Sequence, residues 1–324
     1  MKISSERSPG SSTLQRQTLA DLNLSKLMLG TAQFGLAYGI ANRGGQPSFE
    51  AIKAILRYAY EHGVNCLDTA AGYGSSEEIL GRALHELGLS GRINLVTKIK
   101  HLPDGLSCSQ ADAAVEESVL CSLKHLHLQA LPVCLFHLEQ NFSYAESLLK
   151  LREQGLVRHI GVSTVTTSAA LTIISLGSAE AVQIPTSILD RRFVNSGVCS
   201  AAAKGGVVVF GRSIYLQGLI LLTDQETPFH LRAVVPVRST LSGIAEQAGM
   251  TLGELAMRYV LGVSELTSVL VGVDSVAQMK QNLEFFLRGP LSADVRTAVD
   301  RAVPELPEAI INPVFWTRAR TSKA

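Results

Sequence analysis

Short apolar runs alternate with longer amphipathic stretches along most of the chain, starting near Leu27. Each run has four or five residues, is rich in β-branched and other apolar side chains, and is bounded by polar residues or glycine, which is typical of a buried strand. The stretches between the runs carry apolar residues at helical spacing. Strands are therefore predicted at 26–30, 64–68, 93–97, 132–136, 159–163, 181–184, 207–210 and 268–272, and helices near 48–62, 76–87, 109–126, 143–154, 166–176 and 196–204.

The alternation of eight buried strands with helices predicts an α/β fold, a (β/α)8 TIM barrel, because eight parallel strands close such a barrel. An open doubly wound sheet is the alternative, and it normally shows a G-x-G-x-x-G turn after an early strand. The glycine-rich segment 35–45 lacks that spacing. Residues 1–24, rich in Ser, Gln and charge, predict a flexible leader, and residues 25–324 predict one barrel domain whose C-terminal segment can cover the site.

Composition narrows the classes of function. The chain has 324 residues, 46% of them hydrophobic, with 29 Lys and Arg against 28 Asp and Glu, so it offers no net positive field to nucleic acid or to an acidic membrane. The N-terminus lacks the apolar core of a signal peptide, and no apolar run reaches about 18 residues, which predicts a cytoplasmic protein. The five cysteines are widely spaced and indicate reduced thiols. No metal site is predicted, because His125 and His127 point apart on one helix.

Four titratable side chains fall at or just after the ends of three successive predicted strands. Asp68 and Lys98 end two of them, Tyr73 follows Asp68 by five residues, and His137 directly follows the third. In a (β/α)8 barrel the carboxyl ends of the strands surround one mouth, where active sites lie. Each residue also has a structural alternative: the aspartate as a helix cap, the tyrosine as packing, and the lysine as a surface group.

Together these four groups have the chemistry for reducing a carbonyl, which needs a hydride from a cofactor and a proton for the oxygen. The hydroxyl of Tyr73 can supply the proton, and we expect the Lys98 ammonium to lower its pKa. Asp68 would keep Lys98 charged and oriented. A neutral His137 would donate a hydrogen bond to the carbonyl oxygen.

Ordered motifs between residues 27 and 286 resemble the aldo-keto reductase family. The motifs are LGTAQFG at 29–35, LDTAAGYGSSEEILGRAL at 67–84, LVTKI at 95–99, His137, GLVRHIGVS at 155–163 and VGVDSVAQMKQN at 271–282. The resemblance implies a barrel that binds an extended nicotinamide cofactor without a Rossmann motif. It also implies a catalytic tetrad of Asp68, Tyr73, Lys98 and His137.

The resemblance further implies a set of cofactor contacts. Ser163, Thr164 and Gln183 are expected beside the nicotinamide carboxamide, although Thr164 stands where the family usually has Asn. The segment GRSIYLQGL at 211–219 resembles the loop that wraps the pyrophosphate. The complete implied set is Gly30, Thr31, Ala32, Asp68, Ser163, Thr164, Gln183, Arg212, Ser213, Leu216, Gln217, Gly218, Gly272, Ser275, Gln278 and Asn282.

The identity of the cofactor depends on two departures from the family pattern. Asp274 stands where a small or basic residue is common, and Gln281 replaces the usual Glu. A carboxylate repels the 2′-phosphate of NADP(H) unless a cation such as Lys280 offsets it. The resemblance therefore implies NADP(H), and NAD(H) stays open.

The substrate pocket is harder to predict, because it is built from variable loops. Phe34, Tyr38 and Phe136 lie near strand ends and are candidates to line it. Arg191 is a candidate to bind a carboxylate or phosphate, with a solvated surface pair as the alternative. Trp316 can cover the opening or pack on the barrel.

The sequence as a whole predicts an enzyme that reversibly reduces an aldehyde, a ketone or a sugar carbonyl, with Tyr73 as the proton donor. A redox-neutral use of the nicotinamide, such as an epimerisation or elimination, is one alternative. A cofactor-binding regulatory subunit is the other. The expected partner is a small carbonyl compound, with no nucleic acid and no membrane.

Overall fold

Eight parallel strands close into a barrel at the centre of the computed structural model, which describes residues 14–316. The strands β1 to β10 are Arg16–Leu19, Leu22–Ser25, Leu27–Gly30, Cys66–Asp68, Asn94–Lys98, Leu131–Phe136, Val157–Ser163, Ala181–Pro185, Val208–Arg212 and Ser268–Gly272. From β3 to β10 each strand pairs in parallel with the next, and β10 pairs with β3 to close the ring. The predicted (β/α)8 TIM barrel is confirmed.

Helices α1 to α13 cover the outside of the barrel. Several begin at a capping hydroxyl, as Ser48 and Thr166 do, and Ser107 forms a reciprocal capping box with Gln110. None of the described helices is long and apolar enough to cross a membrane. The helices are Ala32–Gly35, Phe49–Glu61, Ser76–Glu86, Cys108–Leu126, Ala145–Glu153, Thr167–Leu176, Arg192–Asn195, Val198–Lys204, Val235–Gln247, Leu252–Leu261, Val276–Leu287, Ala293–Ala302 and Glu308–Ile311.

The chain between β9 and β10 departs most from simple alternation. It contains two 3-10 segments, Leu216–Leu221 and Phe229–Val234, before α9 and α10. A third 3-10 segment, Glu139–Tyr144, follows β6. None of these segments, nor α9 and α10, follows from the sequence pattern described above.

Side chains along the strands alternate between the barrel lumen and the helix-covered outside. In β5, Val96 joins Cys66 in the cluster that fills the lumen, whereas Leu95 packs in the larger cluster between strands and helices. Asp68 and Lys98 lie two positions beyond Cys66 and Val96, so they share the lumen side. The carboxyl ends of the strands therefore carry polar groups above an apolar floor.

The hairpin of β1 and β2 closes the amino-terminal end of the barrel, which corrects the predicted flexible leader over residues 14–24. The two strands pair in antiparallel register, and Leu19, Leu22 and Leu24 are buried in the lumen cluster. The hairpin strands are only four residues long and have exposed polar faces, so the sequence pattern did not reveal them. Residues 1–13 lie outside the described part of the chain.

An ionic contact attaches this hairpin to β7. Asp21, in the hairpin turn, pairs with Arg158 and lies 2.9 Å from Nε2 of His159. The other ring nitrogen of His159, Nδ1, lies 2.8 Å from a carboxylate oxygen of Glu180. Both imidazole nitrogens thus face carboxylates, and the turn is held against the barrel wall.

Candidate active site

The ammonium of Lys98 lies at the centre of a buried polar cluster at the mouth of the barrel. It donates to both carboxylate oxygens of Asp68, at 2.7 and 2.9 Å, and to the carbonyl oxygen of Thr69 at 2.9 Å. The hydroxyl of Tyr73 lies 3.4 Å from the same nitrogen. Burial lowers the pKa of Lys98, and the adjacent carboxylate opposes that shift. Three of the four predicted catalytic residues are therefore in direct contact.

Asp68 is held by a second donor from across the lumen. The side-chain nitrogen of Gln183 donates to Oδ1 of Asp68 at 2.7 Å. Asp68 ends β4, and Gln183 lies in β8, four strands away in the ring of eight. The carboxylate thus accepts bonds from both Lys98 and Gln183, which fixes both side chains relative to each other.

Tyr73 is a protonated hydroxyl in this setting. Burial raises its pKa, the Asp68 carboxylate raises it further, and Arg212 lowers it. This net rise corrects the lowered pKa expected for Tyr73, because burial and the Asp68 carboxylate outweigh the nearby positive charge. Tyr73 therefore carries its proton at neutral pH.

His137 directly follows β6 and is neutral. Burial, helped by the charges of Lys98, His101 and Arg212, lowers its pKa from 6.5 to about 3. Its ring meets the ring of Tyr73 edge-on, with centroids 5.6 Å apart. Its Nδ1 is buried and has no hydrogen-bond partner within residues 14–316. The fourth predicted catalytic residue therefore joins the other three.

Two buried polar atoms beside this cluster have no partner in the described part of the chain. They are Oγ1 of Thr164 and Oε1 of Gln183, and both residues are fully buried. The backbone nitrogen of Thr164 donates to the carbonyl oxygen of Gln183 at 2.8 Å, and Ser163 pairs with Gln183 in the sheet. Buried polar groups are normally satisfied, so this pair calls for a ligand group with both a donor and an acceptor. A primary carboxamide, as in nicotinamide, fits that requirement.

The loop after β9 has an unusual backbone. Ser213, Leu216 and Gln217 have φ values of 63°, 49° and 53°, in the left-handed region that side chains disfavour. Gly218 follows with φ 90°, and a Cβ there would stand 2.4 Å from Cβ of Ala41. The backbone nitrogens of Leu216 and Gly218 donate to the carbonyl oxygens of Ser213 and Tyr215, at 2.7 and 2.9 Å, and hold this tight turn. The cofactor role that the resemblance implies for the loop stays a prediction.

The end of β10 and the start of α11 carry the residues expected around the adenosine. Ser275 caps α11, and Gln278 accepts from the backbone nitrogen of Asp274 at 2.7 Å. Asn282 is engaged within the protein, since it donates to the carbonyl of Gln278 and accepts from the hydroxyl of Tyr215 at 2.7 Å. Asn282 therefore holds the β9 loop against α11.

Oδ1 of Asp274 is buried and has no hydrogen-bond partner among the described residues. Its carboxylate makes no ion pair there, and burial raises its pKa. The ammonium of Lys280, considered above as an offsetting cation, instead lies over the ring of Tyr58, 5.3 Å from its centroid. A hydrogen bond from the Gln278 side chain opposes the rise in pKa, so the free acceptor of Asp274 at this end of the site is Oδ1.

The remaining predicted cofactor positions are tightly packed. Gly30 faces Leu270, because a Cβ on Gly30 would stand 2.7 Å from Cδ2 of that leucine. The hydroxyl of Thr31 donates to the carbonyl of Asp68 at 2.9 Å, and Ala32 is buried. A Cβ on Gly272 would overlap the side chain of Gln33. Gly30 and Gly272 thus end β3 and β10 at the level of Asp68, at positions where a side chain would collide with a neighbour.

Two predicted substrate residues are corrected by the structure. Phe34 and Phe136 are fully buried in the cluster between strands and helices, outside the lumen. Phe136 meets Phe142 edge-on at 5.9 Å. Neither ring therefore lines the barrel mouth. Strand alternation turns Phe136 outward, and Phe34 packs from α1 into the same outer cluster.

Arg191 and Trp316 are also engaged elsewhere. Arg191 donates to the carbonyl oxygens of Asp300 and Val303 and pairs with the Asp300 carboxylate at 3.4 Å, so its guanidinium is attached to the end of α12. Trp316 is 5% exposed and belongs to the apolar cluster outside the lumen. The predicted anion-binding role of Arg191 is therefore wrong, and Trp316 packs as a core residue.

Tyr38 and His101 do lie at the mouth. Burial and the neighbouring hydroxyl of Tyr73 raise the pKa of Tyr38, and Arg212 lowers it. The exposed ring of His101 meets His137 edge-on, with centroids 4.7 Å apart. His101 is not among the predicted site residues, although its position three residues after Lys98, on the loop that follows a barrel strand, is a usable signal.

The aldo/keto reductase family model matches residues 26–304, which is most of the chain. The protein therefore belongs to the aldo/keto reductase family. This assignment agrees with the closed barrel and with the tetrad residues that its mouth brings together.

Several characterised proteins are similar to the chain. The NADH-specific methylglyoxal reductase of Escherichia coli strain K12 is 26% identical over 301 residues, covering 81% of this chain and 90% of that protein. The L-glyceraldehyde 3-phosphate reductase of the same strain is 24% identical over 279 residues, covering 75% and 81%. Among solved structures, an aldo-keto reductase from Bacillus halodurans in its holo form superposes with a TM-score of 0.75, at 23% identity, covering 90% of this chain and 97% of that one. That superposition shows a shared fold.

Proposed function

We propose that this protein is an NAD(P)H-dependent reductase that converts an aldehyde, a ketone or a sugar carbonyl to the alcohol. The observation that carries the proposal is the 3.4 Å approach of the Tyr73 hydroxyl to the buried Lys98–Asp68 pair, with His137 beside it. Family membership and the names of similar reductases support the same chemistry. The orphaned atoms of Thr164 and Gln183 support a nicotinamide at the site.

Bound nicotinamide supplies the hydride in such a reduction. Tyr73 donates its proton to the carbonyl oxygen as negative charge develops there. Lys98 stabilises the phenolate that remains, and Asp68 keeps the ammonium in place. His137 donates a hydrogen bond from a ring nitrogen to the same oxygen, an interaction that strengthens as the oxygen becomes an alkoxide.

Two further groups would hold the nicotinamide. Oε1 of Gln183 could accept a hydrogen bond from its carboxamide, and the hydroxyl of Thr164 could donate one to it. Because Gln183 is also bonded to Asp68, the coenzyme side of the pocket and the proton-donating side are rigidly connected.

We propose NADH as the preferred coenzyme, in place of the NADP(H) that the family resemblance implies. Asp274 offers a buried, unpartnered carboxylate oxygen within the described chain, which suits a ribose hydroxyl donor. The same carboxylate would repel a 2′-phosphate, and Lys280 is turned toward Tyr58. The similar methylglyoxal reductase is named as NADH-specific, which supports this choice.

The proposal is tested with Tyr73→Phe, which removes only the proton donor. We expect turnover of methylglyoxal to fall about 100- to 10,000-fold, with the Kd for NADH changed less than about 3-fold. Tyr144→Phe is the matched control, because Tyr144 bonds the carbonyl of Leu106 on the outside of the barrel and should leave turnover unchanged.

Unchanged turnover in Tyr73→Phe would contradict the assignment of the proton donor. Product analysis separates the alternatives. Alcohol formed in proportion to NADH consumed supports a reductase, whereas an isomerised product without net NADH consumption supports a redox-neutral reaction. Tight NADH binding without any conversion supports a regulatory role.

A further inference from the structure

Arg212, the last residue of β9, carries a charge that no carboxylate balances. It makes no ion pair with any residue of the described chain, and its two hydrogen bonds go to the carbonyl of Thr164 at 3.2 Å and the hydroxyl of Ser213 at 3.3 Å. These are neutral acceptors. Arg212 is half-buried. The other described arginines without an ion pair are all exposed, namely Arg16, Arg57, Arg92, Arg232 and Arg301.

The charge acts directly on the catalytic groups. Arg212 lowers the pKa values of Tyr73 and Tyr38, and it adds to the effects that lower the pKa of His137. Lys98, the other cation here, is already paired with Asp68. The mouth therefore has one unbalanced positive charge next to the reacting atoms, in a partly desolvated place where such a charge is costly without a partner.

His101 stands opposite Arg212 across the mouth. It follows β5, and β5 and β9 are four strands apart in the ring of eight. Its exposed imidazole can donate a hydrogen bond to an anion. Glu139, on the next loop, is directed away from Arg212 and His101, since its oxygens accept from the backbone nitrogens of Val165 and Thr166.

We propose that Arg212, assisted by His101, binds an anionic group of the substrate, so that the enzyme reduces carbonyl compounds that carry a phosphate or a carboxylate. The proposal rests on the reductase function proposed above. It differs from the coenzyme contact that the family resemblance implies for Arg212. A guanidinium with free N–H groups binds the paired oxygens of either anion in a bidentate manner.

The test compares charged and neutral substrates with the same carbonyl. Glyceraldehyde 3-phosphate is paired with glyceraldehyde, and succinic semialdehyde with butanal, so that the two arms separate phosphate from carboxylate. For the preferred anion we expect kcat/KM at least about 10-fold above that of its neutral analogue in the wild type.

Arg212→Gln removes the charge and keeps hydrogen-bonding capacity. We expect it to lower kcat/KM for the charged substrate at least about 10-fold more than for its neutral analogue, because the loss of charge near Tyr73 and His137 affects both substrates alike. Arg212→Lys should recover part of the loss, and His101→Gln should show a smaller loss in the same direction. Arg232→Gln, at an exposed arginine outside the site, is the matched control.

Two results would overturn the proposal. One is an unchanged ratio between charged and neutral substrates in Arg212→Gln. The other is weaker NADH binding with equal losses on both substrates, which would assign Arg212 to the coenzyme phosphates. Calorimetric binding of glycerol 3-phosphate and succinate to the protein tests the anion site without turnover. Arg212-dependent binding with no carbonyl reduced would remove the reductase function and leave the anion site supported.

Discussion

Lys98 and Asp68 form a double hydrogen bond, at 2.7 and 2.9 Å, at 1% and 3% exposure. At a site buried this far from water, a single charged group without its partner is strongly destabilising. The pair therefore has two separable consequences, one for folding and one for proton transfer at Tyr73.

Removing one partner of this pair should destabilise the protein strongly. We expect Lys98→Met to lower the free energy of unfolding by about 3–5 kcal/mol, because it leaves a buried carboxylate without its cation. The double variant Lys98→Met with Asp68→Asn should recover most of that loss and still lack turnover. Urea unfolding and kcat measured on the same samples check both effects. A single variant as stable as the wild type would contradict the ion-pair account.

His137 should make stability depend on pH. Its folded pKa of about 3 lies below the ordinary 6.5 of the unfolded chain, so the unfolded chain takes up the proton first as the pH falls. Stability is therefore lost on acidification from 6.5 toward 3. Between about pH 6.5 and 4.5 the wild type should lose about 2–3 kcal/mol more than His137→Gln, which has no such proton to bind. Parallel urea unfolding curves measure the difference, and equal losses in both proteins would refute it.

Asp274 should set the choice of coenzyme. Asp274→Ser removes the carboxylate, so we expect NADPH to bind at least about 10-fold more tightly and NADH to bind about 3- to 10-fold more weakly. Titration with adenosine 2′,5′-bisphosphate and with AMP measures the adenosine end alone. Asp294→Ser, which makes the same change of charge at the start of α12, should leave both affinities unchanged. A wild type that already prefers NADPH would contradict the role of Asp274.

We expect the loop after β9 to require glycine at position 218, because a side chain there has no room. Its φ of 90° strains any other residue, and the new Cβ would collide with Ala41. Gly45→Ala is the matched control, since Gly45 has φ 71° and no described atom lies within 4 Å of the position its Cβ would take. We expect both variants to lose about 1 kcal/mol of stability through backbone strain, and Gly218→Ala to lose about 1–3 kcal/mol more and to bind NADH more weakly. Equal losses of stability in the two variants would contradict a collision between the new Cβ and Ala41.

The sequence predicted the barrel well, because strand and helix differ in period and buried parallel strands read as continuous apolar runs. It also predicted the approach of Asp68, Tyr73, Lys98 and His137, because the strand ends of a barrel converge on one mouth. Topology alone determines that convergence. No side-chain orientation had to be known.

The errors arose where orientation decides the outcome. Phe136 ends a strand as Lys98 does, yet the two point to opposite sides of the barrel wall, since they differ in their place in the alternation. Arg191 was misread because its partners, Asp300 and Val303, lie more than 100 residues away along the chain. That Arg212 has no carboxylate partner in the described chain depends on the three-dimensional positions of the neighbouring carboxylates, which the sequence does not give.

The hairpin at the bottom of the barrel changes where the folding unit begins. The family match starts at residue 26, yet Leu19, Leu22 and Leu24 complete the cluster that contains Cys66 and Val96. A chain trimmed to the matched boundary would leave the amino-terminal end of the lumen open, so that water would contact its apolar side chains. Anyone shortening this protein for expression should therefore keep the residues from Leu14 onward, although they lie far from the catalytic groups.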